Sequence, residues 1–294
     1  MDENAWLAER FEANRSHLRS VAYRMLGSLS DADDAVQEAW LRLSRTDAGE
    51  IDNLQAWLTT VVGRVCLNML RSRTTRREVP LDTLVPDFIV SPAEGVNPEQ
   101  EALLGDSVGL AMLVVLDSLT PTERVAFVLH DIFAVSFDEI APIIERTPTA
   151  ARQLASRARR RVQGAPAPDD ALDGQWTVAN AFLAAARGGD FEALLAVLDP
   201  DIVLRSDGGM ARPNLNSFVR GARAVAEQAM TFRRYTETAT RILVNGIPGG
   251  VAWTPDGSPF AILALTVNGG RIVEIEVLAD PERLGQLDLT AVAG

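Results

Sequence analysis

Thr147-Pro148-Thr149-Ala150-Ala151-Arg152-Gln153-Leu154-Ala155-Ser156-Arg157-Ala158-Arg159-Arg160-Arg161-Val162 carries every mark of one amphipathic helix. A Thr that can accept from the first turn, followed by Pro at the first helical position, opens a helix. Ala151, Leu154, Ala155, Ala158 and Val162 recur on one stripe, which predicts the buried side. Arg152, Gln153, Ser156, Arg157, Arg159 and Arg160 are left largely outward, with no acid among them. Just upstream, Thr120-Pro121-Thr122-Glu123 and Ser136-Phe137-Asp138-Glu139 are two capping boxes, the second opening a short helix through about Ile144. Three helices with the last two joined by a few residues predict a helix-turn-helix whose final helix enters the major groove. The same geometry also occurs as inert three-helix packing; an outward face of Arg, Gln and Ser favours DNA.

Towards the N-terminus, Asp31 to Leu43 is strongly periodic, with Ala32, Ala35, Val36, Ala39, Trp40 and Leu43 on one stripe and Ser30 or Asp31 available as cap. Its opposite face carries Asp33, Asp34, Gln37, Glu38 and Arg42, by default a solvated surface. A second helix is expected from about Leu54 to Arg71. Arg64, Arg71, Arg73, Arg76 and Arg77 then accumulate with no acid until Glu78, denser than helix capping requires, and so favour a phosphate-facing surface.

Charge separates these modules from the rest. The chain has 294 residues, and its 28 basic residues, all Arg, face 40 acidic ones for a net charge of -12, which argues against a simple nucleic-acid coat. Divided by segment, residues 1–78 carry -1, 79–100 carry -4, 101–164 carry -1 and 165–294 carry -6. The acidity belongs to a linker and to the last domain. At 47% hydrophobic and 23% charged, the chain is a core-forming one, which excludes disorder, collagen and a coiled-coil rod as its main architecture. The single Cys66, in an apolar run, predicts a core hydrophobe and a reducing, cytoplasmic setting, and excludes a disulfide framework or a multi-cysteine zinc site. His130 reads as a packed helix residue. No signal peptide is expected from the acidic start Met1-Asp2-Glu3-Asn4, and no apolar run approaches the ~18 residues of a membrane span.

Four prolines between Val79 and Glu99 read as an extended connector, and Gly164 to Asp170 as a second. Beyond it, helices are expected at about Gln175 to Arg187, from the cap Asp190 through Leu198, and at about Gly221 to Phe232. Strands are expected at Ile202–Leu204, Arg241–Asn245, Gly250–Thr254, Phe260–Val267 and Arg271–Leu278, with turns at Asp256-Gly257 and Asn268-Gly269-Gly270. Helices leading into an antiparallel meander predict an α+β domain, one sheet curled around helices.

Ala22-Tyr23-Arg24-Met25-Leu26-Gly27-Ser28 with Asp31 to Leu43 resembles region two of extracytoplasmic-function (ECF) bacterial sigma factors. Leu119 to Arg124 and Arg152 to Arg159 resemble their region four. Ala186-Arg187-Gly188-Gly189-Asp190-Phe191-Glu192-Ala193-Leu194-Leu195 and Leu198 to Val203 look like a SnoaL-like fold. That order is similar to the SigI/SigJ-type subgroup, whose members carry this fused domain. The resemblance implies a multidomain fold: two all-α domains, 1–78 and 101–164, the second a helix-turn-helix, joined by a linker at 79–100. After a linker at 165–173 follows an α+β SnoaL-like, cone-shaped domain at 174–294 with a curved antiparallel sheet.

The resemblance also implies roles. Asp31, Asp34, Gln37, Glu38 and Leu41 would dock on core RNA polymerase. Asn53, Arg64, Asn68, Arg71 and Arg73 would contact the -10 promoter element, with the loop Arg45 to Asp52 pocketing a flipped base. Trp57 either stacks on an unpaired base or packs in the core. Thr149, Arg152, Gln153, Ser156, Arg157, Arg159 and Arg160 would read the -35 element. Subgroup relatives carry Trp-Leu-Pro-Glu-Pro in the linker, where this chain has Leu84-Val85-Pro86-Asp87-Phe88-Ile89-Val90. Their C-terminal signatures correspond to Asp207-Gly208-Gly209-Met210-Ala211 and to Asp280-Pro281-Glu282-Arg283-Leu284 here, with Asp207, Gly208, Gly209, Asp280, Pro281, Arg283 and Leu284 as the regulatory candidates; the Gly pair also reads simply as a turn.

A sigma factor binds core polymerase and promoter DNA and makes no bonds itself; no cofactor, metal or membrane is expected. The C-terminal domain is expected to modulate activity in place of an anti-sigma protein. Two alternatives attach to that domain: a sensor of a small-molecule effector in an apolar cone, and an isomerase or cyclase, for which Asp207, Asp201, Tyr235 and Arg205 are loose acid–base candidates.

Overall fold

The computed structural model describes residues 3–46, 51–76, 85–93, 113, 115–116, 118–163, 168–169, 171–235 and 239–292. The chain divides into two compact units. One comprises residues 1–78, 101–106 and 113–165, and the other 79–100, 107–112 and 166–294. Regions that the sequence separates as two helical domains share the first unit.

In the helical unit, α1 (Glu3–Leu26) ends at Gly27, whose φ of +68° suits a residue without Cβ, and α2 (Leu29–Leu43) begins at once. The cap of α2 is Ser28, which accepts from Asp31 N at 3.4 Å, in place of the expected Ser30 or Asp31. Ala32, Ala35, Val36, Ala39 and Leu43 are buried as the periodicity predicts, while Trp40 packs on Phe11 at 5.1 Å. Helix α3 (Leu54–Arg76) runs five residues past its expected end and is capped by Asn53, which accepts from Ala56 N at 3.1 Å. Cys66 is fully buried on it, and burial pushes its thiol up to about 12, as befits a core residue.

Both capping boxes form. Thr120 and Glu123 open α4 (Pro121–Phe127), and Ser136 and Glu139 open α5 (Phe137–Ile144). Thr147 caps α6 (Pro148–Val162), accepting from Ala150 N at 3.2 Å. Between α4 and α5 the chain widens into a π-helical turn, Val128–Ile132, and His130 stacks on Phe137 at 3.8 Å with its Nδ1 3.0 Å from Val135 O. α3 packs on α4 and α5. A Cβ on Gly63 would stand 3.3 Å from Leu129 and 3.5 Å from Ile143, so the missing side chain permits this close approach.

The second unit is a seven-stranded sheet in the order β1-β4-β5-β6-β7-β2-β3. Its strands are β1 (Val90–Pro92), β2 (Leu198–Asp207), β3 (Ser217–Arg220), β4 (Thr240–Val244), β5 (Ile247–Trp253), β6 (Pro259–Asn268) and β7 (Arg271–Leu278). The expected meander β4 to β7 is antiparallel, whereas β2 joins β7 in parallel. Strands β1 and β3 add edges that the sequence reading lacks. Helices α7 (Leu172–Gly188), α8 (Phe191–Val197) and α9 (Ala222–Thr231) pack on the sheet around a core that includes Phe182, Leu194, Val225, Leu243, Leu265 and Ile275. A short α10 (Pro281–Leu284) follows β7.

Both connectors belong to this unit where they are described. Residues 85–93 are extended, as four prolines suggest, yet they are bound and not free: Val90, Ser91 and Pro92 pair with Val244, Leu243 and Ile242. Ile89 N donates to Asn245 Oδ1 at 3.0 Å, and Asn245 N donates to Ile89 O at 2.8 Å. Val85, Phe88 and Ile89 are buried. In the second connector, Asp169 accepts from Gly269 N and Gly270 N at 2.9 and 3.2 Å and fixes the β6–β7 turn.

Candidate functional site

Three faces of the helical unit carry the candidate contacts. On α2, Asp34, Gln37 and Leu41 are exposed at helical spacing, with Glu38 beside them in an ion pair to Arg42 at 2.9 Å. Leu41 is 41% exposed on an otherwise polar face, an apolar group that burial against a partner would satisfy. Asp31 stands apart: it is half-buried and paired with Arg73, while Asp33 holds Arg19 at 2.7 Å.

On α3, Arg64, Asn68 and Arg71 lie one turn apart on a single exposed stripe, flanked by buried Val61, Val65, Leu67 and Leu70. Arg71 also lies 3.7 Å from Glu145, which closes α5 in the left-handed region at φ +57°. Arg73 turns inward, donating to Leu26 O at 2.7 Å as well as pairing with Asp31, so it ties α3 to α1 and α2. Trp57 is half-buried. The loop Arg45 to Asp52 falls partly outside the described residues, at 47–50.

On α6, Thr149, Arg152, Gln153, Arg157 and Arg160 are exposed and Ser156 is half-buried beside them. Ala151, Ala155, Ala158 and Val162 are buried on the other side. Arg152 is braced over the Phe137 ring at 5.2 Å. Arg159 donates to Asp131 of the π-helical turn at 2.7 Å and Arg161 to Glu123 of the first capping box at 3.1 Å. These two arginines anchor α6 to the scaffold; among the described residues Thr149, Arg152, Gln153, Ser156, Arg157 and Arg160 show no such ion pair.

In the sheet unit, the regulatory candidates converge. The Arg283 guanidinium donates to Asp207 Oδ2 at 2.5 Å, to Val85 O at 2.7 Å and to Asp87 Oδ1 at 2.8 Å. One cation thereby joins the end of β2, the start of α10 and the connector. Asp207 also accepts from Gly209 N at 2.9 Å, and Asp280 caps α10, accepting from Glu282 N at 3.0 Å. Gly209 has φ +62°, and a Cβ there would overlap the Asp280 carboxylate, while a Cβ on Gly208 would overlap Arg212 O. The pair is a turn and also a point of close approach. Pro281 opens α10 and Leu284 is buried beneath it. Asp87 and Val85, which the sequence reading names only as part of the linker, are brought to the regulatory candidates by Arg283.

The acid–base candidates are not brought together. Asp201 is exposed and pairs with Arg220 at 3.3 Å. Arg205 pairs with Glu274 and lies 3.5 Å from Glu276. Glu276 is fully buried, and its carboxyl is held well above the ordinary range, chiefly by burial and secondly by the Glu274 carboxylate, with Arg205 opposing. Tyr235 instead stacks on Phe260 at 3.8 Å. Alternation along β2 sends Arg205 and Asp207 to one face and Leu204 and Ser206 to the other. Among the described residues no group of three or more His, Cys, Asp or Glu is placed to hold a metal, and no helix is long and apolar enough to cross a membrane.

A helix-turn-helix with a polar outward face, preceded by a helix with its own basic stripe, is the architecture of a DNA-binding transcription protein. Residues 10–76 match the family described as Sigma-70 region 2, and residues 110–162 that described as Sigma-70, region 4. The ECF RNA polymerase sigma factor SigJ of Mycobacterium tuberculosis is 38% identical over 289 residues, covering 93% of this chain and 91% of that protein. The probable ECF RNA polymerase sigma factor SigI of the same species is 35% identical over 291 residues, covering 98% of each. The crystal structure of SigJ matches with a TM-score of 0.80 at 36% identity, over 96% of this chain and 99% of that one. The chain belongs to the extracytoplasmic-function RNA polymerase sigma factors.

Proposed function

We propose that this chain binds core RNA polymerase in the cytoplasm, recognises a two-element promoter and initiates transcription, with its C-terminal unit as a built-in regulator. The observation that carries the reading is its near full-length correspondence to sigma factors, with both sigma-70 regions in order. In this reading Asp34, Gln37, Glu38 and Leu41 meet the polymerase. Arg64, Asn68 and Arg71, with Asn53 at the helix start, face the -10 element, while Arg73 and Asp31 position that helix. Thr149, Arg152, Gln153, Ser156, Arg157 and Arg160 read the -35 element, with Arg159 holding their helix in place.

Regulation follows from the connector. Residues 79–100 are the covalent link between the two promoter-reading regions, and 85–93 are paired to the sheet unit. Chain held there is chain withdrawn from the slack that lets the regions move apart, at a reach of at most ~3.6 Å per residue. Arg283, Asp207 and Asp87 form the clasp, and Gly208, Gly209, Asp280, Pro281 and Leu284 build the turn and helix that present it.

Run-off transcription with purified core polymerase on genomic fragments tests the initiation role. A promoter-specific transcript from the full-length protein is expected, and its absence from full-length and Arg283→Ala proteins alike sinks the reading. For the regulatory part, Arg283→Ala is expected to change transcript yield at fixed protein concentration; identical yields from both proteins refute the clasp.

A further inference from the structure

The sheet unit holds a cavity of about 110 Å³ between α7, α9 and the sheet, lined by Phe182, Leu183, Leu204, Phe260, Leu263 and Ile275 among others. Among the described residues its wall carries no charged side chain; Ser206, Gln228 and Tyr235 supply its polar atoms. Gln228 spends its amide on Ser217 Oγ at 3.0 Å. Ser206 is only 6% exposed and lies on the strand face that lines the cavity. In a wall otherwise almost wholly apolar, its hydroxyl is the polar group that an oxygen-bearing ligand entering the cavity would meet. One side of the wall is aromatic: Tyr235 and Phe260 stack with 7° between their planes. Arg212 lies 5.0 Å over the Phe260 ring and donates to Phe260 O and Ala279 O at 2.8 and 3.0 Å.

We infer that this cavity binds a small neutral ring compound bearing one hydroxyl or carbonyl oxygen, which Ser206 Oγ engages while the ring fills the apolar space. Size sets the class, since apolar cavities on the order of 150 Å³ stay dry and accept benzene. Charge sets it too: a carboxylate, phosphate or ammonium would lose its hydration against walls offering it no counter-charge. Arg205, Asp207, Glu274 and Glu276 serve the opposite face of the sheet, so the cavity is equipped to hold a ligand and not to transform it. The inference rests on the proposed regulatory role only for its biological use.

Phenol, toluene and benzoate are titrated into the full-length protein alone, followed by calorimetry and thermal melting. Phenol and toluene are expected to saturate a single site and raise Tm, and benzoate to do neither. Ser206→Ala should weaken phenol by about 2- to 10-fold and leave toluene unchanged. Ala229→Phe, placed in the wall, should abolish binding of both; Ala261→Leu serves the same purpose if that variant loses its cooperative melt. The inference fails if neither neutral probe saturates, if benzoate binds as well as phenol, if both wall variants bind as the parent does, or if Ser206→Ala leaves phenol unaffected. Polymerase and DNA are absent, so such a failure leaves the sigma-factor reading standing, and a failed transcription assay leaves the cavity standing.

Discussion

The outward faces of α3 and α6 in the helical unit and the ion-paired strand and clasp of the sheet unit use arginine in opposite directions. On α3 and α6, Arg64, Arg71, Arg152, Arg157 and Arg160 point outward on faces with apolar cores behind them. In the sheet unit, Arg205 and Arg283 turn inward onto Glu274, Glu276, Asp207 and Asp87. Outward arginines keep their hydration until a phosphate or guanine replaces it and contribute little to folding. Inward ones have surrendered hydration already, so their partners are part of the fold. Loss of the first kind should be visible in DNA binding alone; loss of the second should be visible in the melt.

The largest effect is expected from Arg283→Ala, which strands the mostly buried Asp207 and Asp87 and should cost about 2–4 kcal/mol, measured by urea unfolding of the sheet unit's transition. An unfolding free energy equal to the parent's would erase the contrast. Glu276→Gln sharpens it through pH. The folded protein keeps the Glu276 proton above the ordinary value of 4.5, whereas the unfolded chain releases it, so each rise in pH above that value favours unfolding. The Gln variant lacks this drain, and its Tm should gain on the parent's steadily from pH 5 to neutrality; parallel Tm curves would show that Glu276 ionises normally. Next in size, Arg157→Ala should weaken promoter binding by ~1–3 kcal/mol, with Tm unchanged, if it grips a guanine bidentately. An equal loss on every DNA sequence would make it a phosphate contact. Smallest of all, Arg159→Ala breaks a half-exposed pair with Asp131 and should cost ~0–1 kcal/mol of stability. A larger loss in DNA binding than that of Arg157→Ala would place Arg159 among the outward group.

The same contrast explains what the sequence makes legible. Thr120, Ser136 and Thr147 announce their helices because a cap involves residues three apart, and the alanine stripe of α6 follows from its period alone. Outward faces come with those periods, so Arg152, Gln153 and Arg157 were readable as a surface. The inward set depends on partners far along the chain. Arg283 meets Asp87 across 196 residues, and nothing local in Val85 to Pro92 distinguishes a free connector from an edge strand. Arg73 shows the same dependence: it belongs to a basic run, and its partners include Leu26 O and Asp31. The pairing of β2 with β7, parallel and across an intervening meander, leaves no signature in either strand. Ser28 displaced Ser30 as a cap because Gly27 already turns the chain there.

β1 is the outermost strand on its side of the sheet and is contributed by the connector. Whatever frees that connector also strips the β4 edge, leaving Val244, Leu243 and Ile242 with open backbone donors and acceptors on an apolar strand. An unprotected edge of that kind recruits other strands. A form freed in this way would be a sticky one, driven either to recapture its own strand or to pair with a foreign one.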